Sequence, residues 1–509
     1  MNFILALAPI LIIFFLMVSL RWGAARAGGA GYLVTLLIAI LHFGAGPELL
    51  AYAHAKALLL SVDVLLIIWA AFLLYRVVDE AGAIRTIGQA LPHLTGDVGM
   101  QALVIGWVFA SFLQGVGGFG VPVAVIAPIL AGLGFPPLAA VVIPSIGHGW
   151  AVTFGSLGSS FQALMAATGL PSSTLAAPSA LFLGISGVAV GWMVAHAAGG
   201  WSAVRRLFWA VLALGLVMST VQFFVAVSGL WNIGAFTGSL AGLALAFPVA
   251  NRFRGESRDN GTLDLRALLV ALLGYASLVA IILGVQLIPS VKDSLGRVVV
   301  QVDFPEVRTA MGFITPAGPG RNIVVFRHTG TVLVYAALLA YLIYSRAGLY
   351  KPGAVRRILE GTLRRVMSSS VSIASMVAMA VIMEHAGMTD SLARGLAEGV
   401  GTLFPIVAPW IGALGAFMTG SNTNSNVVFG ALQLHTAQLL GFSAALILAG
   451  QTAGAALASV IAPTKVVVGA STAGMAGREG DVMRKLLVYT GLSVLLISAL
   501  TSIGVLLGS

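Results

Sequence analysis

Apolar runs of about 18 or more residues recur along the whole chain, separated by short segments holding Lys, Arg, Gly and Pro. Each run is long enough to cross a hydrocarbon core of roughly 30 Å as a helix. Spanning helices are predicted at about 3–20, 28–46, 57–78, 137–155, 178–198, 204–226, 231–250, 265–289, 329–346, 364–386, 441–463 and 484–507, roughly 12 in all. Two further stretches, about 99–134 and 405–440, are apolar at both ends and broken in the middle, the first by Gly115 to Pro122 and the second by Gly420 to Asn426. At about 36 residues each exceeds one span. Irregular backbone at membrane depth survives only where it is buried in protein or lines a watery cavity. Each stretch is therefore expected to form a re-entrant helical hairpin beside a cavity.

The same unit recurs at an offset of about 307 residues: Leu133 to Phe135 and Leu440 to Phe442 both read LGF after a hairpin. The helix that follows each hairpin also looks interrupted, at Phe154 to Ser160 and at Ile461 to Lys465. The expected fold is an all-α polytopic membrane protein with two membrane halves, 1–250 and 265–509, joined by a cytoplasmic linker, 251–264. Opposite insertion of the two hairpins makes an inverted-topology repeat, an arrangement that puts a site near the midplane in many secondary transporters.

Composition supports the bilayer as solvent. The 509 residues are 59% hydrophobic and 9% charged, with a mean hydropathy of +1.02, more apolar surface than one soluble core can hide. The net charge of +10 does not point to nucleic acid, because the basic residues are scattered between apolar runs and form no clustered patch. They sort by topology. With the N-terminus outside, only Lys56, Lys292, Arg297, Arg308, Arg321, Arg327 and Arg394 fall outside, leaving 20 of the 27 Lys and Arg inside. Both termini are then external in a bacterial-type inner membrane. The first apolar run lacks a basic residue before it and is read as a span, not a signal peptide. There are no cysteines, which excludes disulfides, iron–sulfur clusters and cysteine zinc sites.

Candidate chemistry lies at the breaks. In the second, Ser421, Asn422, Thr423, Asn424, Ser425 and Asn426 set a dense run of hydroxyls and amides beside exposed backbone, suited to a carboxylate at helix N-termini or a cation at carbonyls. In the first, Gly117 and Gly118, next to Gln114, let the backbone approach a ligand. Ser156 and Lys465 mark the interrupted helices, and Lys465 is a candidate counter-charge for an anion. Ionisable residues at membrane depth are functional candidates because an unpaired charge there is costly. Asp63, His148 and Glu384 qualify, and the His148 imidazole can take up a proton near neutral pH. No nucleophile-elbow, zinc-protease or Walker A pattern supports an embedded enzyme or an ATP-driven pump. A channel is the remaining rival, since a glycine-lined pore also uses irregular backbone.

The segments SFLQGVGGFGVPVAVIAPILAGLGF, TGSNTNSNVVFGALQ and ASVIAPTKVVVGASTAGMAGREGDVMRKLL resemble, in order, signature stretches of the L-lactate permease family. That resemblance implies a proton-coupled symporter for lactate or glycolate without cofactor or metal, working by alternating access. It also implies an architecture like that of the wider ion-transporter superfamily, whose hairpins carry the triplet spelled here by Ser421-Asn422-Thr423. A homodimer, a small organic anion, a coupling H⁺ or Na⁺ and the lipid bilayer are the partners it implies. Three positions depart from the family pattern: Asn422 replaces an expected aspartate, His148-Gly149-Trp150 replaces an expected Asn-Thr pair, and Lys465 replaces an uncharged polar residue. A non-titratable Asn422 moves proton coupling to His148 or Asp63, replaces H⁺ with Na⁺, or leaves the carrier uncoupled.

Overall fold

The computed structural model describes residues 2–20, 22–118, 120–253, 264–319 and 323–508. Most of the expected linker 251–264, the basic residues Arg21, Arg254, Arg258 and Arg321, and Phe119 of the first break lie outside the described residues.

The described residues fold as a polytopic helical membrane protein. Eleven helical runs are long and apolar enough to cross a bilayer. One of them, 172–253, is 82 residues long and leaves helical geometry at Gly199, Gly200 and Gly229, so it returns through the bilayer rather than crossing once. Pro178 lies inside it, as prolines do inside several other helices, a placement that membrane helices tolerate.

Two long helices, Pro47–Glu80 and Ala354–His385, pack antiparallel. Lys56 Nζ pairs with Glu384 at 3.5 Å near one end, and Arg357 Nε pairs with Glu80 at 2.7 Å at the other. At 34 residues the first helix is about 50 Å long. Its two ends therefore define two faces of the molecule, the Lys56 face and the Glu80 face.

Both broken stretches form helical hairpins. The first runs from Val98–Val116, which contains a π-helical turn at Val104–Phe109, to Val121–Gly132. Asp97 starts it, accepting the Met100 N–H at 2.8 Å and pairing with Arg206. The second runs from Phe404–Thr419 to Asn422–Leu439, turning at Gly420 with φ +71°. Each is followed by a broken helix. Pro137–Gly147 stops and resumes as Ser159–Thr168; Ala444–Ala458 stops and resumes as Pro463–Thr472. Both second segments continue beyond the expected ends at 155 and 463, because a break does not end a span when the interrupted backbone is buried in protein.

Small residues let these units pack closely. A Cβ on Gly412 would lie 2.2 Å from the Gln451 carbonyl oxygen, and one on Gly454 would lie 2.2 Å from that of Pro409. Backbone approaches of this kind drive helix association in lipid, where apolar side chains gain little by meeting each other.

Within the 316–328 segment, Gly318–Pro319 and Ile323–Val324 are strands of a long antiparallel β-hairpin. Val299 pairs with Val324, Asp303 with Pro319 and Val307 with Thr315. Its tip donates the Ala310 N–H to Gly44 O at 2.8 Å, and Thr315 Oγ1 donates to His385 O at 3.3 Å. It thus straps across the Lys56 face.

Candidate functional site

The tips of the two hairpins and the two helix breaks meet. A Cβ on Gly118 would fall 1.7 Å from Ser156 Oγ, one on Gly120 3.9 Å from Lys465 Cγ, and one on Gly420 3.0 Å from Thr464 Oγ1. Ser156 and the following Leu157 carry φ of 47° and 53°. Left-handed backbone at two successive non-glycine residues is strained, and it bends the first break toward the hairpin tip. Gln114, Gly117, Gly118 and Ser156 are all buried there.

At the centre lies a sheet of side-chain hydrogen bonds. Asn422 Nδ2 donates to Thr153 Oγ1 at 3.0 Å, and Thr153 Oγ1 contacts Thr452 Oγ1 at 3.2 Å. Asn426 Nδ2 donates to Thr452 Oγ1 and to Ser160 O, both at 2.9 Å, while Ser160 and Thr423 share a hydrogen bond of 3.0 Å. Asn424 Nδ2 reaches Ser372 Oγ on the long helix at 3.0 Å. These groups are all buried. Among the described residues, three amide oxygens in this sheet, Oδ1 of Asn422, Asn424 and Asn426, have no hydrogen-bond partner, and the same holds for Gln114 Oε1, Ser159 Oγ and His148 Nε2. Buried acceptors without donors are costly, so this region is poised for a donor-bearing ligand.

The polar sheet separates two cavities. A basic cavity of about 400 Å³ is lined by Arg364, Arg365, Ser372, Ser421, Asn424, Thr464 and Lys465. Three helix N-termini converge on it: Val121–Gly132 through Gly120, Asn422–Leu439 through Ser421, and Pro463–Thr472 through Thr464. The first and third have no side-chain cap. Val121 N–H already donates to Gly118 O and Lys465 N–H to Ala462 O, each at 2.9 Å, and Pro122 and Pro463 carry no N–H, so it is chiefly the helix dipoles that favour negative charge, and Lys465 adds a cation whose Nζ donates to Ser459 Oγ at 3.2 Å. A mixed-charge cavity of about 600 Å³ lies on the other side, lined by Lys56, Asp63, Gln162, Arg327, His328, Glu384 and His435. Asp63 stands nine residues from Phe72 and Glu384 twelve from Ser372, which at 1.5 Å per residue separates the two cavities by roughly 15 Å along the long helices.

The structure therefore gathers Ser421, Asn422, Thr423, Asn424, Asn426, Gly117, Gly118, Gln114, Ser156 and Lys465 around one centre. His148 adjoins it. Its Nδ1 donates to Pro144 O at 2.7 Å, and Lys465 is the charge that acts on it. Asp63 stands apart, in the mixed-charge cavity, accepting Gln162 Nε2 at 2.7 Å and His328 Nε2 at 2.9 Å. Thr153, Ser160, Ser372, Gln451 and Thr452 were not legible as site residues. Ser160 ends the break at Phe154 to Ser160, Ser372 closes a serine-rich run and the others lie in apolar runs; only the fold brings Thr153, Ser160, Ser372 and Thr452 to the asparagines and Gln451 to Ser425. Trp150, at the position departing from the family pattern, is wholly buried, donates Nε1 to Ser111 Oγ at 2.9 Å and lies against Gly187.

Paired helical hairpins, paired broken helices and a polar centre in a multi-pass helical bundle define a membrane permease. This chain belongs to the L-lactate permease family, which matches it over residues 2–508. Relatives include the glycolate permease GlcA of Escherichia coli (strain K12), 28% identical over 95% of this chain and 92% of that protein. The L-lactate permease of Bacillus subtilis (strain 168) is 27% identical over 97% and 94%, and that of Streptococcus iniae 29% identical over 86% and 92%. Among solved structures, the YdaH transporter of Alcanivorax borkumensis, described as having an unusual topology, matches with a TM-score of 0.50 and 14% identity over 91% of this chain and 88% of that one. At that identity the likeness concerns the fold alone.

Proposed function

We propose that this protein is a secondary carrier of a small 2-hydroxy monocarboxylate, L-lactate or glycolate, working by alternating access. The observation that carries the reading is the convergence of three helix N-termini and Lys465 on a cavity whose wall includes Ser421 and Asn424, at the edge of the polar sheet. The carboxylate sits against the N–H groups of Gly120 and Thr464, near Ser421, whose own N–H donates to Thr419 Oγ1, and is balanced by Lys465. Its hydroxyl donates to an amide oxygen of Asn422 or Asn424. The backbone at Gly117 and Gly118, with Gln114 and Ser156, closes the first-hairpin side, while Thr423 and Asn426 hold the second hairpin to the first break. The polar sheet is the barrier between the cavities, and transport requires the hairpins to move relative to the long helices, breaking the Asn424–Ser372 bond.

In this scheme the hairpins are re-entrant and inserted from opposite faces, the halves 1–250 and 265–509 form an inverted repeat, and the Glu80 face is cytoplasmic. The excess of Lys and Arg on that side supports the orientation, which leaves both termini outside an inner membrane. A homodimer that anchors a moving unit suits the mechanism. The proton enters through Asp63 or His148, because Asn422 cannot carry one. Gln162, which donates to Asp63, lies two residues from Ser160 on the helix Ser159–Thr168 and so places Asp63 near the polar sheet. The alternatives are Na⁺ coupling and an anion channel.

Uptake of labelled L-lactate into proteoliposomes, with a pH gradient imposed and with or without Na⁺, tests the proposal. Accumulation driven by inward protons is expected. Unitary currents without movement of a coupling ion would replace the carrier with a channel.

A further inference from the structure

The mixed-charge cavity is not needed to hold the transported anion at the polar sheet, yet it has its own charge logic. His328 Nδ1 accepts the Gly330 N–H at 3.1 Å at the start of the helix Thr329–Arg346. With Nδ1 accepting, the ring proton is on Nε2 and is donated to Asp63 Oδ1 at 2.9 Å. Asp63 also accepts Gln162 Nε2 at 2.7 Å and is 2% exposed, so its carboxylate is committed. Glu384 is paired with Lys56 at 3.5 Å. Among the described residues, the remaining full charge on the cavity wall is Arg327. It is half-buried at the base of the β-hairpin, held there by its own N–H donating to Val324 O at 3.1 Å, and among the described residues its guanidinium has no ion-pair partner. His435, on the second hairpin, faces the same space.

We propose that this cavity is a second, peripheral binding site for small monocarboxylates, anchored by Arg327. The planar guanidinium offers the paired N–H groups that a carboxylate accepts. Set in a cleft with low-dielectric walls, it also concentrates anions at one mouth of the permeation route. The site lies on the opposite side of the polar sheet from Lys465, so an anion bound here awaits the hairpin movement and does not replace the central site. The inference rests on the carrier reading only in choosing L-lactate as the probe.

Because the chain has no cysteine, His435→Cys supplies a single thiol in the cavity of the full-length protein. Its modification by a sulfonate-bearing methanethiosulfonate is measured while chloride is replaced by L-lactate or acetate at constant ionic strength. Carboxylates are expected to slow labelling by about tenfold, the scale of one charge-assisted hydrogen bond. The slowing should vanish in His435→Cys/Arg327→Gln and persist in His435→Cys/Lys465→Gln. Equal rates in chloride and carboxylate overturn the site, and so does slowing that survives loss of Arg327. Slowing lost with Lys465 assigns the effect to the central site and also overturns it. The readout is independent of uptake: carboxylate protection in a protein that fails to accumulate L-lactate leaves this site standing and removes the carrier reading.

Discussion

Gly118→Ala probes the contact between the first hairpin and the first break. The added Cβ would stand 1.7 Å from Ser156 Oγ, 3.0 Å from Ser156 Cβ and 3.3 Å from Gln114 Nε2. Ordinary contact begins near 3.4 Å, so the Ser156 hydroxyl must leave its rotamer, and the hairpin tip and the break must separate by up to about 1.7 Å where the packing holds that hydroxyl in place. The backbone adds to this, since Gly118 has φ +55° and an L side chain there costs about 1–2 kcal/mol. That cost lowers the melting temperature by a few degrees without unfolding a bundle of this size. The functional cost is larger, because displacement on the scale of 1 Å ruins a preorganised site. We expect uptake of L-lactate to fall about tenfold or more in purified, monodisperse protein. Adding Ser156→Gly deletes both colliding atoms of that residue and should recover most of the rate while leaving the backbone cost in the melting curve. Wild-type rate and affinity in Gly118→Ala, or no recovery in the double variant, would refute a site built on this contact.

Lys465→Gln should weaken L-lactate binding by about tenfold or more and flatten its dependence on ionic strength, as read by titration calorimetry; unchanged affinity removes Lys465 from the anion site. Asn422→Ala removes one hydrogen bond to Thr153, which keeps Thr452, so we expect it to melt within a few degrees of wild type yet bind substrate weakly. Asn426→Ala removes two buried bonds and should destabilise the protein by about 2–3 kcal/mol, measured by thermal unfolding. If both variants bind and transport at wild-type affinity, the asparagine assignment is wrong. His148→Gln should abolish the pH dependence of uptake if coupling runs through His148, and Asp63→Asn if it runs through Asp63; the variant whose pH profile stays unchanged is not the coupling group.

The sequence by itself determined the polytopic helical class, the two interrupted hairpins, the broken helix after each and the residue types at the tips. These properties are local: the length of an apolar run, the glycines that permit a turn, and the density of Ser, Thr and Asn between apolar flanks. Tertiary structure decided which distant groups answer them. Thr153 and Thr452 are 299 residues apart in the chain, and no pattern in either apolar run announces that they meet under Asn422 and Asn426. Likewise Asp63 reads as an isolated acid in a hydrophobic helix until the fold brings it Gln162 and His328. Glu384 and Lys56, 328 residues apart, pair only because two long helices pack antiparallel. Burial in a bundle favours polar side chains that find a partner on whichever helix lies beside them, and that adjacency is a property of the packing, not of the run in which the side chain sits.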